Sequence, residues 1–578
     1  MADLKFSDAE PDDQERAVVD ALVQQPPVIR QSERVVLGGI RRADQTRHLL
    51  LPGLHGLNNA RGWISPGGLN YLAESLQVPP AEAFGVASFY DLFELEEPAL
   101  PGPRHHVCVD ASCALSNAAE YAQRLRSEGQ YVHEGPCLGQ CENAPALFVQ
   151  ARNSEPLDMT ATKKDEAKFN TQLANRLLRR FGAVDPGSLG SYRSHGGYQA
   201  LETALAIGGE KTLRLITDAG LTGRGGAAFP TGRKWQAVAD QDHIHKYVVA
   251  NADESEPGTF KDRMIIENDP FALIEAMTIA GVTTGCTKGW IYIRGEYVTA
   301  TKRLQSAIKQ AYENGFLGAN ALNGAFTFDI ELRQGAGAYI CGEETALFNS
   351  IEGFRGEPRS KPPFPTDQGL FGCPTIVNNP ETLINVLEIL NYGVDSFRSV
   401  GTADSPGTKL FCLSGDVAQP GLYEAAFGLP LNELLNTAGV RVGDVQAVLL
   451  GGAAGSFLGP QALDLPLSFE DTAERGATLG SGAVTVFSRD VDLWPVLVRL
   501  AKFFRDESCG QCVPCRIGTT RQHEVLLQIQ GTAPQESTRD LLSDLSVVMG
   551  DSSICGLGHT AASAVQSALA LGLVGAET

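Results

Sequence analysis

Hydrophobic positions recur at helical spacing near both ends of the chain and at strand spacing between them. Two apolar helix faces are predicted in the first segment, formed by Ala17, Val18, Ala21 and Leu22, and by Leu69, Leu72, Ala73 and Leu76. Apolar runs at 105–110 and 145–150 predict short strands on either side of a helix at 117–128. The polar run at 151–168 predicts a linker.

The segment from about 170 to 405 interleaves strands and helices. Apolar runs at 246–251 and 289–295 predict strands, and residues 299–315 predict a helix. A further strand with one face toward water is predicted by the alternation of Phe326, Phe328, Ile330 and Leu332 with polar residues. Such interleaving favours an α/β layer architecture.

Two smaller units follow in the sequence. Residues 406–490 carry three strand patterns and one helix pattern, which predicts a small β-rich unit. From residue 491 to the end, successive amphipathic runs predict helices. A chain of 578 residues is also long enough for about four domains.

Composition narrows the possible classes of function. Hydrophobic residues make up 43% and charged residues 20% of the chain, which excludes wholesale disorder. The net charge of −21 argues against nucleic acid or an anionic membrane as the main partner. The acidic N-terminus lacks the apolar core of a signal peptide, and the apolar run at 567–576 is too short to cross a bilayer. We therefore expect a cytoplasmic protein.

The most specific pattern is a cysteine triple near the C-terminus. Seven of the 12 cysteines fall into two tight groups, which in a reducing compartment indicates metal or redox chemistry rather than disulfides. Cys509, Cys512 and Cys515 have the spacing that wraps three thiolates around one [4Fe–4S] cluster, and Cys555 can supply the fourth. Zinc is the alternative, although structural zinc prefers separated pairs of ligands.

The other group predicts a second metal centre. Cys108 and Cys113 are separated by four residues, and Cys137 and Cys141 by three. Four thiolates on two short loops suit a [2Fe–2S] cluster, with two ligands for each iron. Zinc is a stronger rival here, because paired cysteines are typical zinc ligands.

A glycine-rich loop at 220–226 is the first sign of a nucleotide site. It leads into a helical pattern whose free N–H groups suit a phosphate, and Arg224, Arg233 and Lys234 add positive charge. The loop matches neither the dinucleotide-binding fingerprint nor a Walker loop. Taken alone, it is equally typical of an ordinary turn.

Two acidic segments strengthen the nucleotide interpretation. Residues 251–258 directly follow a predicted strand, at the carboxyl end where open α/β sheets bind ligands. A second glycine cluster at 335–342 precedes Glu343 and Glu344. Carboxylates in these places could accept hydrogen bonds from ribityl or ribose hydroxyls. The alternative for either segment is a solvated surface turn.

Together these motifs resemble a known family. Five of them are similar to the 51 kDa-type flavoprotein subunit of the NADH-oxidising module of respiratory complex I: GRGGAAFPTGRKW at 223–235, NADESEPGTFKDR at 251–263, GAGAYICGEETAL at 335–347, KPPFP at 361–365 and ESCGQCVPCR at 507–516. The first cysteine group, with the GWISP and GVASFY motifs before it, resembles the 24 kDa-type subunit. The chain thus resembles a fusion of the two over nearly its whole length.

The resemblance implies a multidomain α/β and α+β protein with four domains. Residues 1–165 would form a helical part with a thioredoxin-like [2Fe–2S] ferredoxin domain, and 166–405 an FMN- and NAD-binding α/β domain. Residues 406–490 would form a ubiquitin-like β-grasp domain, and 491–578 a helical [4Fe–4S] domain. The metal ligands would be Cys108, Cys113, Cys137, Cys141, Cys509, Cys512, Cys515 and Cys555.

The same resemblance implies contacts to the organic cofactors. FMN would contact Gly223, Arg224, Lys234, Asn251, Asp253, Glu254, Tyr339, Gly342, Asn378, Asn379 and Thr382. NAD(H) would contact Gly226, Phe229, Glu256, Glu344 and Phe364, and Gly225 and Glu343 complete the predicted set. Glu256 and Lys234 are the predicted catalytic residues, with Lys234 between the two ligands.

Two residues bear on nucleotide recognition. Ala237 stands where the family often has an aromatic residue, which shifts the predicted adenine stacking onto Phe229 and Phe364. Glu344 near a ribose would repel a 2′-phosphate, so we expect NAD rather than NADP.

The implied function is that of a diaphorase subunit, which passes electrons between NAD(H), FMN and iron–sulfur clusters. Fused forms resemble the β subunit of NAD-dependent molybdenum or tungsten formate dehydrogenases and the diaphorase subunit of NAD-reducing hydrogenases. Retention of all four N-terminal cysteines favours the formate dehydrogenase, whose catalytic α subunit would be the partner. A non-catalytic scaffold that keeps its metal sites but binds no nucleotide is the alternative from another class.

Overall fold

The computed structural model describes residues 8–24, 46–98, 102–151, 157–158, 168–532 and 534–574. The predicted linker at 151–168 and the predicted domain boundary at 165 therefore lie largely outside the described residues. Among the described residues, no helix combines the length and the apolar character needed to cross a membrane.

The described residues contain fifteen strands in three sheets. In chain order they are β1 Arg104–Cys108, β2 Tyr131–Gly135, β3 Leu147–Gln150, β4 Leu157–Asp158, β5 Phe169–Asn170, β6 Tyr247–Ala252, β7 Lys288–Ile293, β8 Gly318–Asn320, β9 Phe326–Gln334, β10 Thr375–Asn378, β11 Thr408–Gly415, β12 Gly421–Ala426, β13 Val445–Leu450, β14 Ser456–Leu458 and β15 Ala483–Ser488.

Helices begin and end the described chain and cover the sheets between. Those before β10 are Asp13–Val23, Leu50–Arg61, Pro66–Leu76, Pro80–Ala87, Ala111–Leu115, Ala118–Ser127, Leu189–Ser194, Gln199–Ile207, Gly209–Asp218, Thr231–Ala239, Lys261–Asn268, Pro270–Thr284, Val298–Glu313, the turn-like Ala321–Gly324, Glu344–Glu352 and Pro365–Gln368. Those after β10 are Pro380–Tyr392, Val394–Arg398, Leu431–Thr437, Phe469–Glu474, Leu493–Glu507, Val513–Ile529, Glu536–Ser552, Gly556–Thr560 and Ser563–Ala570.

One of the two predicted N-terminal helix faces is confirmed, and the other is confirmed as buried only at Leu22. The Pro66–Leu76 helix buries all four predicted residues. The first helix forms, but its buried residues are Glu15, Val19 and Leu22, while the predicted Ala17 and Ala21 are exposed. Glu15 is drawn inward because its carboxylate accepts from the Asp12 N–H in a capping box and from the Ser65 hydroxyl.

The first sheet has the strand order β2-β1-β3-β4. β1 pairs in parallel with β2 through a helical crossover, and antiparallel with β3. Because β1 and β2 are parallel, Cys108 at the end of β1 and Cys137 just after β2 lie at the same edge of the sheet. This edge carries the N-terminal cysteine group.

The second sheet has the order β10-β6-β7-β9-β8, in which β10, β6, β7 and β9 are parallel. The strands predicted at 246–251, 289–295 and from Phe326 onward are confirmed as β6, β7 and β9. The predicted candidate residues at 251–258, 335–344 and 378–382 follow β6, β9 and β10, so they gather at the carboxyl edge.

The third sheet has the order β14-β13-β15-β11-β12-β5 and buries a core of its own around Leu434, Leu450 and Val484. β11 forms an antiparallel hairpin with β12 and pairs in parallel with β15. The predicted strands and the predicted helix of this unit are thereby confirmed, the helix as Leu431–Thr437, but a second short helix, Phe469–Glu474, was not predicted. The predicted C-terminal helices follow this unit.

Candidate functional site

The outer cysteine site consists of Cys509, Cys512, Cys515 and Cys555. All four line one small cavity, so the structure brings Cys555 to the triple as predicted. Cys512 and Cys555 are the N-cap residues of two helices. Free N–H groups at a helix start favour a thiolate, so the site suits a cluster held by four thiolates.

The inner cysteine site consists of Cys108, Cys113, Cys137 and Cys141, all at most 5% exposed. Cys137 Sγ and Cys141 Sγ are 3.5 Å apart. The N–H groups of Gly139 and Ala146 lie 3.4 Å from the sulfurs of Cys137 and Cys113, respectively. Four buried sulfurs with amide donors fit a [2Fe–2S] cluster.

Two arginines that sequence reasoning missed hold the loop of the inner site. Arg294 Nη2 donates to Cys137 O at 2.6 Å, and Arg263 Nε donates to Gly139 O at 2.8 Å. Both guanidinium groups are buried and paired, Arg294 with Glu296 and Arg263 with Glu142. Both arginines are distant in sequence from the loop they hold, so no local spacing could reveal the contact.

The predicted glycine loop runs into the Thr231–Ala239 helix as expected. The Gly223 N–H donates to Phe229 O at 2.9 Å, which closes the loop on itself. A Cβ added at Gly223 or Gly225 would meet no atom closer than 3.6 Å. A Cβ at either position would therefore make only ordinary van der Waals contact, so the rest of the chain does not crowd the backbone of this loop.

Arg224 of this loop is fully buried and faces the third sheet. Its Nη2 donates to Pro406 O at 2.8 Å, and its guanidinium lies 4.5 Å from the ring centre of Phe427. Its N–H donates to Thr382 Oγ1. Burial lowers the pKa of Arg224 to about 10. Its side chain thus ties the loop to the third sheet, and a contact to FMN remains a prediction.

A carboxylate oxygen without a partner lies just after β6. Asp253 is half-buried, but its Oδ2 is shielded from solvent and has no hydrogen-bond partner among the described residues, and desolvation raises the pKa of Asp253 to about 8. The Cβ position of Gly342 lies 3.6 Å from that oxygen. Asn251 Nδ2 donates to Gly342 O at 2.8 Å, which joins β6 to the second glycine cluster. An orphaned carboxylate oxygen in a glycine-lined cradle fits a ligand with hydroxyl donors.

Glu254 has a structural role in the described chain. Its two oxygens accept the N–H groups of Asp262 and Arg263 at 2.9 Å, at the start of the Lys261–Asn268 helix. Burial raises its pKa to about 7. These bonds occupy the carboxylate, so its predicted contact with FMN stays a prediction.

Glu256 links three regions of the chain. Its Oε2 accepts the Tyr339 hydroxyl at 2.5 Å, and its Oε1 accepts the Ala454 N–H at 2.9 Å. Burial raises its pKa to about 7, against the lowering effect of the Tyr339 hydrogen bond. The Tyr339 N–H donates to Glu507, two residues before Cys509. Glu507 belongs to the motif at 507–516, but the sequence predicted no role for it.

Three charged side chains, Glu343, Glu344 and Lys361, form a cluster with Lys234. Lys234 Nζ donates to Val377 O at 2.9 Å and lies 3.7 Å from Glu344, and Lys361 bonds both Glu343 and Glu344. Burial lowers the pKa of Lys234. Burial alone would raise the pKa of Glu344, but the two lysines lower it below its usual value. Glu343 also caps the Glu344–Glu352 helix.

The remaining predicted residues complete the edge of the cradle. Asn378 accepts the Trp235 indole N–H, and Asn379 caps the Pro380–Tyr392 helix through the Thr382 N–H. Phe229 and Phe364 are 46% and 54% exposed, respectively, the open aromatic faces that a stacked adenine needs. Gly226 lies 3.6 Å from Gly480 of the third unit, measured from its Cβ position.

Two segments that carry candidate cofactor residues also reach the cysteine sites. Gly258, in the segment after β6, lines the cavity of the inner site. Ile340, next to Tyr339, lines the cavity of the outer site. The segments of the predicted cradle therefore adjoin both cysteine sites.

Three family models match successive parts of the chain. Residues 38–166 match the thioredoxin-like [2Fe–2S] ferredoxin, 216–388 the Nuo51 FMN-binding domain, and 495–571 the NADH-ubiquinone oxidoreductase-F iron–sulfur binding region. The FMN, [2Fe–2S] and [4Fe–4S] predictions are confirmed at this level.

Curated relatives agree with the family models. The chain is 42% identical over 408 residues to the NADP-reducing hydrogenase subunit HndC of Solidesulfovibrio fructosivorans, covering 69% of this chain and 81% of that protein. It is 42% identical over 400 residues to the F 2 subunit of the NADH-quinone oxidoreductase of Rhizobium meliloti, covering 68% and 94%.

Among solved structures, a chain of an NAD+-reducing [NiFe]-hydrogenase in the H2-reduced state matches with a TM-score of 0.77 and 31% identity, over 91% of both chains. The similarity therefore extends beyond the part shared with the curated relatives. The chain belongs to the family of NADH-quinone oxidoreductase F subunits, as an NAD(H)-dependent flavoprotein subunit with an FMN-binding domain, a [4Fe–4S] region and a thioredoxin-like [2Fe–2S] domain.

Proposed function

We propose that this chain is the diaphorase subunit of a heteromeric oxidoreductase and exchanges electrons between NAD(H) and a catalytic partner. The observation that carries the proposal is the cradle at the carboxyl edge of β6, β9 and β10, whose segments adjoin both four-cysteine sites. Bound FMN supplies the conversion between two-electron and one-electron transfer, and the clusters supply the single-electron carriers.

The residues of the chain then have distinct roles. The glycine loop and Asp253 bind FMN, Phe229 and Phe364 hold the adenine, and Glu256 and Lys234 orient the nicotinamide end. The pairing of Glu344 with Lys234 and Lys361 supports this, because it fixes a carboxylate at the entrance to the cradle. That carboxylate favours NAD over NADP.

The four-domain division belongs to the same proposal, with boundaries near 165, 405 and 490. The separate core of the third sheet supports a domain at 406–490. Its order β12-β11-β15-β13-β14, with a hairpin first, the Leu431–Thr437 helix between β12 and β13, and parallel β11 and β15, supports a ubiquitin-like β-grasp.

A formate dehydrogenase is the partner complex we propose, with a molybdenum or tungsten α subunit. Its support is the retention of four cysteines at the inner site, all buried and close together. An NAD-reducing hydrogenase is the second candidate, favoured by the similarity over 91% of the chain to the hydrogenase structure. Elemental analysis of the native complex separates the two, since molybdenum or tungsten supports the first and nickel the second.

The diaphorase role is tested by the visible spectrum of the purified, matured chain under anaerobic conditions. We expect flavin and iron–sulfur bands that bleach when NADH is added. A colourless protein that contains zinc would support the scaffold and refute the diaphorase.

A variant refines the test. Glu256→Ala should slow NADH-driven bleaching by about 10- to 100-fold while FMN stays bound, since a hydrogen bond to a charged group is worth about 1.5–3 kcal/mol. Glu210→Ala, at an exposed position on the Gly209–Asp218 helix, is the control, and its flavin and iron–sulfur bands should bleach at the wild-type rate. Loss of FMN from Glu256→Ala would show that the residue belongs to the flavin cradle instead.

A further inference from the structure

Three potential metal ligands meet outside the cradle and the cysteine sites. They are Asp91, His106 and His133, and one ligand atom from each lies within 4.8 Å of the other two. His133 Nε2 is 3.0 Å from both carboxylate oxygens of Asp91. Two imidazoles and one carboxylate are a common ligand set for zinc and other divalent transition metals.

The sheet register brings the two histidines together. His106 of β1 is directly opposite His133 of β2 in the parallel pair, and their ring centres are 5.1 Å apart. Asp91 arrives from the segment before β1, and its N–H donates to Gly337 O at 3.2 Å. The three side chains thus come from three separate segments, each held by the backbone.

A further contact orients His106 as a ligand. His106 Nε2 lies 2.9 Å from Gln150 Oε1, which can only accept. The proton of the neutral ring is therefore on Nε2, and Nδ1 carries the lone pair. Histidines that bind metals usually donate their other N–H to such a partner, which fixes the tautomer and the ring orientation.

Gly135 lies close to the pair. A Cβ placed on it would lie 3.3 Å from His133 Cδ2, 3.4 Å from His133 Nε2 and 3.6 Å from Asp91 Oδ2, so glycine keeps a side chain away from these atoms. Asp91, His133 and Gly135 also line a cavity that reaches Cys509. An ion bound by three protein atoms would have a water molecule on that side.

Positive charge opposes a cation at this place: Arg355, Arg499 and Lys502 line the same cavity, and Arg104 is the arginine that contacts Asp91. Its Nη1 donates to Asp91 O at 3.1 Å, and its Nε is 3.9 Å from Glu94. Glu94 offsets part of this positive charge. We therefore expect binding weaker than that of a four-cysteine zinc site.

We propose that Asp91, His106 and His133 form a site for one divalent transition-metal ion, with zinc as the expected occupant. The site is separate from both cysteine sites. The ion would join the segment before β1 to the first sheet, close in sequence to Cys137. Zinc would take three protein ligands and one water in a tetrahedral arrangement.

The test uses the full chain with its iron and FMN in place, treated with a mild chelator and then dialysed against zinc chloride. Zinc, iron and flavin are counted per chain. We expect one zinc per wild-type chain, and affinity at least about 10-fold weaker in His133→Gln and in Asp91→Asn. His195→Gln, which changes an exposed histidine on another element, is the control and should keep wild-type affinity.

X-ray absorption at the zinc edge of the wild-type protein gives an independent readout that needs no variant. Scattering from nitrogen and oxygen at about 2.0–2.1 Å supports the triad, whereas sulfur at about 2.3 Å would place the zinc on cluster cysteines. Sulfur scattering, equal binding by all variants, or no zinc bound by the wild type would each overturn the proposal.

Discussion

The inner and outer cysteine sites each consist of four cysteines, but the two sites differ in how far they are exposed to solvent. All four inner cysteines are buried, whereas Cys509, Cys512 and Cys555 of the outer site are partly exposed. Arginines of the FMN region bind the inner loop, and Arg516 binds the outer loop from within the same segment. The inner site is thus built by several regions together, and the outer site largely by its own sequence.

This difference indicates different uses. A partly exposed cluster can exchange electrons with another protein, so the outer site is the expected exit toward a partner. A buried cluster is better placed to exchange electrons with a cofactor of the same chain. Changes that affect one site and leave the other intact therefore test this contrast.

Cys512→Ala should abolish the [4Fe–4S] signal in electron paramagnetic resonance. The variant has only three of the four thiolates that this cluster needs. The [2Fe–2S] signal should persist, since the inner site shares no residue with the outer one. Cys373→Ala, a partly exposed cysteine of neither site, is the control and should keep both signals. An intact [4Fe–4S] signal in Cys512→Ala would contradict the ligand assignment.

Matched glycines should respond very differently to alanine. Gly139 and Gly510 both have positive φ, 64° and 78°, but a Cβ at Gly139 would lie 2.1 Å from the Tyr297 hydroxyl, whereas one at Gly510 meets nothing closer than 3.8 Å. Gly139→Ala should prevent assembly of the [2Fe–2S] cluster, measured as iron per chain. Gly510→Ala should cost only the backbone strain of about 1–2 kcal/mol. Equal iron contents in the two variants would show that the inner loop tolerates a Cβ as well as the outer loop does.

Arginines of the two loops form a second matched pair. Arg294→Met leaves buried Glu296 unpaired and should lower the free energy of unfolding by about 3–5 kcal/mol. Arg516→Met removes an exposed hydrogen bond to Gly510 O and should change the free energy of unfolding by about 1 kcal/mol or less. Urea unfolding followed by near-ultraviolet circular dichroism measures both. If both variants lost the same free energy of unfolding, the burial of the arginine would not make the two loops differ in stability.

Iron release should also follow exposure. An iron chelator added to the reduced holoprotein should remove iron from the outer site first, because solvent reaches three of its cysteines. The two cluster signals, followed in time by electron paramagnetic resonance, give the two rates. Faster loss of the [2Fe–2S] signal would reverse the comparison.

Local spacing predicted the sites better than it predicted their surroundings. The grouping of Cys555 with the triple and the gathering of 251–258 with 335–344 follow from motif spacing and from strand order. The roles of Arg263, Arg294 and Glu507 were missed because their partners are distant in sequence. The interleaved pattern predicted helices between β6 and β7 but did not give the bounds of Pro270–Thr284, since this helix is buried nearly all round and so has no amphipathic period.

Side-chain direction was the other limit of the sequence. Arg224 and Glu254 lie in the predicted motifs, yet their side chains bond Pro406 and the Lys261–Asn268 helix. A motif places a residue near a ligand but does not fix which way its side chain turns. The error at Ala17 and Ala21 has the same origin, because the capping box decided which face turned inward.

The contact between Arg294 and Cys137 has a consequence for biogenesis. The N-terminal part emerges first from the ribosome, before the arginines that bind the carbonyls of Cys137 and Gly139 have been synthesised. A truncated product that ends before β6 would leave these carbonyls without their partners. The loop that carries Cys137 and Cys141 is therefore expected to be held less firmly until the flavin-binding portion has been translated and has docked.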